Sequence, residues 1–115
     1  MAETVERAVV RRRDGVTVID MPAHIDITSE AALDTAYSEV SPKGAVLLNF
    51  TGTQYINSSG IALIVGILAR ARKQSRPIGA YGLSDHYREI FELTRLDEAI
   101  TIYDSEESAL NGVVR

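Results

Sequence analysis

The chain contains no cysteine. That excludes disulfide staples, zinc–thiolate centres, a cysteine nucleophile and thiol redox chemistry. There is no tryptophan, and only two phenylalanines and five tyrosines. So few rings give no obvious platform for stacking nucleic-acid bases. The two histidines, His24 and His86, have no second ligand at metal spacing, so no metal site is expected. No Gly-x-Ser-x-Gly elbow surrounds a serine, and no Gly-x-x-x-x-Gly-Lys loop is present. The longest apolar run, Ile61 to Val65, is far short of a membrane span, so no membrane insertion is expected. Twelve Lys and Arg against sixteen Asp and Glu leave a net charge of −4. An acidic chain is a poor partner for nucleic acid or an anionic membrane. No apolar signal core follows the first charged residues, so the expected compartment is the cytoplasm.

What remains is an ordinary globular composition. The 115 residues are 45% hydrophobic and 24% charged. That predicts one domain over 1–115, with a core from about 5 to 112 that needs no metal or covalent staple. Short β-rich runs alternate with amphipathic stretches. Residues 5–11 and 15–21 read as strands joined by Arg13-Asp14-Gly15, whose Asp-Gly pair signals a tight hairpin. The Arg11-Arg12-Arg13 cluster reads as a solvated hairpin tip or an anion site. Thr28 and Ser29 are cap residues before a helix over Glu30 to Val40, and Pro42-Lys43-Gly44 breaks it.

Ala45 to Phe50 is nearly all apolar, as a strand covered on both faces would be. Thr51 to Ile56 reads as a loop, and Ser58 to Gln74 as a long helix. Pro77 to Leu83 and Ile100 to Tyr103 read as strands. Ser84 or Asp85 opens a helix to Thr94, and Ser105 opens a short C-terminal one. The order β-β-α-β-α-β-α-β-α predicts an α/β fold. Its mixed sheet has about five strands, layered with about four helices.

The chemistry concentrates at Asn57-Ser58-Ser59-Gly60, after the most buried strand and before the most apolar helix. Such loops commonly carry function in α/β proteins. Two hydroxyls lie there at a helix N-terminus, beside unpaired N–H groups and the positive end of the dipole. Simple capping by Asn57 or Ser58 accounts for one of these residues.

At 100° per residue, Ile61, Ile64, Val65, Leu68 and Ala71 form one stripe, the expected core face. Ala62, Gly66 and Ala69 make a strip of small residues on a flank, and Leu63 falls near the polar side. A docking partner or another part of the fold could cover that flank. Arg70, Arg72 and Lys73 suit the negative helix end.

Asn57-Ser-Ser-Gly-Ile-Ala-Leu-Ile-Val-Gly66 resembles the STAS-domain family, specifically the bacterial anti-sigma-factor antagonists. Their signature runs Asp-Ser-Ser/Thr-Gly-Leu into an apolar helix with a further glycine. Ala23-His24-Ile25-Asp26 looks like their Gly-Glu-Leu-Asp segment. Ile90-Phe91 with Thr94-Arg95-Leu96 looks like Leu-Phe-x-x-Ser-Gly-Leu, and Ser105 to Leu110 like the closing Ser-x-x-Glu-Ala-Leu. The resemblance spans about 100 residues of the chain.

The resemblance implies a partner switch. The unphosphorylated antagonist binds an anti-sigma factor that is also a serine kinase, with ATP and Mg²⁺ held by that partner. The kinase phosphorylates Ser58, with Ser59 the second candidate, and binding is lost. A metal-dependent serine phosphatase resets the system. Asp26, Asn57, Ser58, Ser59, Gly60, Ala62, Leu63 and Gly66 are the implied partner-binding residues. The domain itself holds no cofactor and is no enzyme. Asn57 stands where the family usually has Asp, and Ala23-His24 replaces Gly-Glu.

Three other readings compete. A STAS scaffold that is never phosphorylated could serve a stress-sensing or lipid-transport assembly. Ser58 could be a nucleophile, which requires a nearby base. Backbone N–H groups after Thr53 could hold an anion. A phosphate-accepting receiver domain has similar length but needs an aspartate ending its central strand. Here that strand ends Leu48-Asn49-Phe50-Thr51.

Overall fold

An antiparallel hairpin opens the sheet: β1 (Val9–Arg13) pairs with β2 (Val16–Asp20). Its turn places both Asp14 (φ 53°) and Gly15 (φ 80°) in the left-handed region, the requirement that Asp-Gly meets at least cost. The computed structural model describes residues 7–41 and 44–114. The expected start of the first strand at 5 and the Pro42-Lys43 break lie outside those residues.

The chain continues through β3 (His24–Ile25), α1 (Glu30–Ser38), β4 (Val46–Asn49), β5 (Tyr55–Ile56) and α2 (Ser58–Lys73). β6 (Ile78–Tyr81), α3 (Asp85–Leu93), β7 (Thr101–Tyr103) and α4 (Glu106–Val113) complete it. The main sheet runs β1-β2-β4-β6-β7, parallel from β2 onward. This is the expected mixed five-strand sheet with four helices.

Two faces of unequal weight share the sheet. Ile19, Val46, Leu48 and Ala80 point into a large core with α1, α2 and α3. Val16, Val18, Leu47 and Tyr81 alternate onto the other face, against Ala109, Leu110 and Val113 of α4. The period of two along β2 and β4 thus feeds both cores, which explains the unbroken apolar run at 45–50.

Three expectations change. Tyr55–Ile56, expected as loop, forms β5 and pairs in parallel with β3 as a separate two-stranded ribbon. On α2 the buried residues are Gly60, Ile64, Ile67, Leu68 and Ala71, while Val65 is 43% exposed. The buried stripe is therefore rotated by about a seventh of a turn from Ile61 toward Ile67. Periodicity detects an apolar stripe, but only packing decides which edge of it is covered.

The arginine cluster is neither a solvated tip nor an anion site. Arg11 grips Asp20 with two bonds, Nε to Oδ2 at 2.9 Å and Nη2 to Oδ1 at 3.1 Å. Its Nη2 also donates to Glu106 Oε1 at 2.6 Å, and Arg13 pairs with the same carboxylate. The fold's own acids occupy both cations, so only Arg12 of the three faces solvent without an acidic partner among the described residues.

This network pins the first turn of α4 to the β1–β2 hairpin. Tyr81 Oη donates to Glu106, and burial followed by that bond pushes its ionisation well up. Hydrogen bonds from Arg11 and then Tyr81 hold the Glu106 carboxyl down to about 2, against an ordinary 4.5. A depressed folded value favours the folded state above pH 4.5, and that contribution fades as pH falls toward 2. Glu106→Gln should therefore cost about 1–2 kcal/mol at neutral pH and flatten the loss of stability between those values. Denaturant titration across that range checks it. An unchanged acid dependence in the variant would remove Glu106 from the account.

Candidate functional site

The site is assembled by the small ribbon rather than by the main sheet. β3 and β5 align Ile25 with Ile56, so Asp26 and Asn57 leave the ribbon side by side. The ribbon is tied down along its length. Ala23 O accepts from Gln54 N at 2.7 Å and Tyr55 N at 3.1 Å, and Thr53 Oγ1 donates to Pro22 O at 2.8 Å. Ile56 N donates to the Tyr87 hydroxyl of α3 at 2.8 Å, a buried bond, and Asn57 N donates to Ile25 O at 3.2 Å. These bonds use the N–H groups of residues 54–57, so none of those four is left to hold an anion.

α2 begins directly after this tie. The Asn57 side chain accepts from Gly60 N at 2.9 Å and caps the helix. An amide serves here as well as a carboxylate would, because only the oxygen is used. Ser58 is exposed, Ser59 and Asn57 are half-buried, and Gly60 is buried. No acidic residue lies in the first turn of α2. A phosphate on Ser58 would meet the positive end of a 16-residue helix, an environment that favours it by about 0.3–1 kcal/mol.

Gly60 has a different part from the one expected. A Cβ there would stand 2.0 Å from the Ile25 carbonyl oxygen and 3.0 Å from Ile56 Cγ2. Glycine is what lets α2 close onto the ribbon backbone. Being buried, it offers no surface to a partner.

Asp26 is held by its own turn. Its Oδ1 accepts from Thr28 N at 2.9 Å and Thr28 Oγ1 at 2.5 Å. The Thr28 hydroxyl, then the Thr28 backbone, keep the carboxyl below its usual range and hence ionised. Ser29 Oγ accepts from Asp26 N and donates to His24 O, and Asp26 caps the 3-10 turn Ile27–Ser29; of the two expected cap residues Ser29 stands at the N-cap of α1, without a side-chain cap bond, and Thr28 does not. That turn packs against α2.

A family model described as STAS domain matches residues 7–109. The chain belongs to the STAS-domain family. An anti-sigma-B factor antagonist from Listeria monocytogenes is 31% identical to it over 100 residues, 77% of this chain and 86% of that one. The solved anti-sigma-factor antagonist (STAS) domain protein from Planctomyces limnophilus has a TM-score of 0.79 at 25% identity, over 96% of this chain and 99% of that one. The Bacillus cell fate determinant SpoIIAA in its phosphorylated form shares the fold, with a TM-score of 0.65 at 19% identity over 94% and 99%.

Within this STAS domain, Ala62 and Gly66 are exposed on the flank of α2 that faces α1. They line a groove of about 240 Å³ with Glu30, Leu33, Leu63 and Arg70. Leu63 is half-buried against the main core, not stranded on the polar side. Arg70 does more than suit the helix end: it pairs with Asp34 at 2.9 Å and lies 4.5 Å above the Tyr37 ring. Beside the site, two exposed apolar side chains escaped the sequence reading, Ile27 at 61% and Tyr55 at 52%. Ile27 follows Asp26, and Tyr55 sits in β5 just before the site. An apolar residue between two capping groups was the available signal for Ile27.

Among the described residues, no histidine or carboxylate hydrogen-bonds the Ser58 hydroxyl, and no group of three acidic or histidine side chains could hold a metal ion. Among the described residues no helix is long and apolar enough to cross a membrane.

The ribbon contact makes Gly60 the most sensitive position of the STAS site. Gly60→Ala forces the Ile25 carbonyl or the helix to move, and should cost about 1–3 kcal/mol or more. Thermal unfolding measures the loss. A melting point within a degree or so of wild type would show that the close approach is not needed.

Proposed function

We propose that this STAS domain is an anti-sigma-factor antagonist switched at Ser58. Unphosphorylated, it binds an anti-sigma factor with serine-kinase activity, and the sigma factor is released. The Ser58 Oγ then takes the γ-phosphoryl group of the partner's Mg²⁺-bound ATP, giving up its proton as ADP leaves. The phosphorylated form dissociates, and a metal-dependent phosphatase restores the hydroxyl. The domain supplies a surface and an acceptor, not catalysis. Asp26, Asn57, Ser58, Ser59, Ala62, Leu63 and Gly66 form that surface, and the cell compartment is the cytoplasm.

One observation carries the reading. Ser58 is the exposed first residue of a helix whose start is already tied to the ribbon and to α3. A hydroxyl so placed can enter a kinase without unfolding its host. The helix end tolerates the added charge, so the fold is kept. The charge is costly only in an interface, where about −1.5 to −2 must be desolvated. A penalty of about 3 kcal/mol weakens binding more than a hundredfold.

Asn57 favours a second reading, the constitutive scaffold. Its amide caps α2 without contributing the carboxylate usual in the family, and the one carboxylate beside it, Asp26, is engaged by Thr28. Under that reading Ser58 stays unmodified and binding is insensitive to ATP.

Incubation with the cognate kinase and ATP-Mg²⁺ should place phosphate on Ser58, none on Ser58→Ala, and Ser58→Asp should bind the kinase at least a hundredfold more weakly. Equal affinity of Ser58→Asp and wild type would reject the switch. Asn57→Asp should keep the cap and the melting point while raising the phosphorylation rate. If wild type stays unmodified while Asn57→Asp is modified, the scaffold reading takes first place.

A further inference from the structure

The second half of α2 borders a larger groove, on the side away from α1. Its volume is about 600 Å³, within the range of small-molecule sites. Val65, Leu68, Ala69, Ile78, Leu96 and Ile100 form aliphatic walls. Val65 and Ala69 are exposed there because the buried stripe of α2 is rotated toward Ile67. Arg72 and Arg76 line the same groove. Arg72 is exposed and has no partner among the described residues. The Arg76 guanidinium is engaged by the fold, donating to the carbonyls of Ser41 at 2.7 Å and Gly44 at 3.0 Å and to Gln74 Oε1 at 3.1 Å, so Arg72 is the cation that faces the groove with donors to offer.

We propose that this groove binds an amphipathic monoanion, a carboxylate on an unbranched aliphatic chain. The chemistry of the lining selects that class. Aliphatic walls suit a flexible hydrocarbon, and no aromatic ring is present to stack a planar base. A guanidinium matches a carboxylate with two parallel donors. Glu98 also lines the groove and pairs with Arg95 at 3.9 Å; its repulsion grows with ligand charge, so a monoanion is favoured over dianions such as phosphate esters. The groove lies along α2 from about 10 Å beyond Ser58 at Val65 to about 20 Å at Arg72, at 1.5 Å per residue. It is therefore separate from the Ser58 surface, and its occupancy does not depend on the switch.

Sodium decanoate below its micelle concentration is the probe, with decyltrimethylammonium as the opposite-charge control. Calorimetry on the full chain should give one saturable decanoate site and none for the cation. Amide NMR shifts should fall at 65–76 and 96–101. Arg72→Gln, which removes a charge-assisted contact, and Val65→Asp, which puts a carboxylate on the aliphatic wall, are both at exposed positions and should fold normally and each weaken binding about tenfold or more. Absence of saturable binding, equal affinity in the variants, or shifts confined to the α1–α2 groove would overturn the proposal. So would a dimer in decanoate-free solution that Val65→Asp dissolves, because a second copy would then be the occupant.

Discussion

The contact on which the site depends is the approach of α2 to the β3 backbone at Gly60. A hydrogen atom at that position admits the Ile25 carbonyl where a methyl would stand at 2.0 Å. Through it the helix start, the ribbon and the Asp26 turn become one unit. The bonds from Asn57 N to Ile25 O and from Ile56 N to the Tyr87 hydroxyl then extend that unit to α3. Each would be expensive to leave unmade in a buried place, because a backbone N–H without a partner carries its full desolvation penalty. Ser58 is thereby presented on a frame that has little freedom to rearrange.

That rigidity shapes how a charge could act. A phosphoryl group at the start of a capped helix gains from the dipole and meets no carboxylate in the first turn of α2. The folded state has little reason to change, so the consequence of the added charge falls on whatever surface meets Ser58. The far side of the sheet is braced independently. Glu106 joins Arg11, Arg13 and Tyr81 across three elements, and its carboxyl remains ionised at any ordinary pH. The clamp on α4 is thus a fixed support and not a titrating one.

α2 serves several neighbours at once. Its buried stripe fills the main core, its Ala62–Gly66 flank opens toward α1, and its Val65–Ala69 edge opens toward the segment 96–101. Small residues at 62, 66 and 69 keep both grooves open, where larger side chains would fill them. The same helix therefore carries the exposed Ser58 hydroxyl at one end and a mixed aliphatic and cationic groove at the other.

Much of this was legible in the chain. The Asp14-Gly15 turn, the doubly covered strand at 46–49 and the helix opening at Asn57 follow from local conformational preference and from periodicity. The motif at 57–66 likewise marked the family and the acceptor candidate. Tertiary structure decided what local rules cannot reach. Tyr55–Ile56 became a strand because His24–Ile25 lay alongside it, and a two-residue pairing leaves no periodic signal. Arg11 and Arg13 both pair with Glu106, more than 90 residues away in sequence, and Arg11 also with Asp20. The exposure of Val65 and the burial of Ile67 depended on how far α2 rolled against the sheet. Sequence periodicity records that a helix has an apolar side, while long-range packing sets which edge of it remains open to a partner.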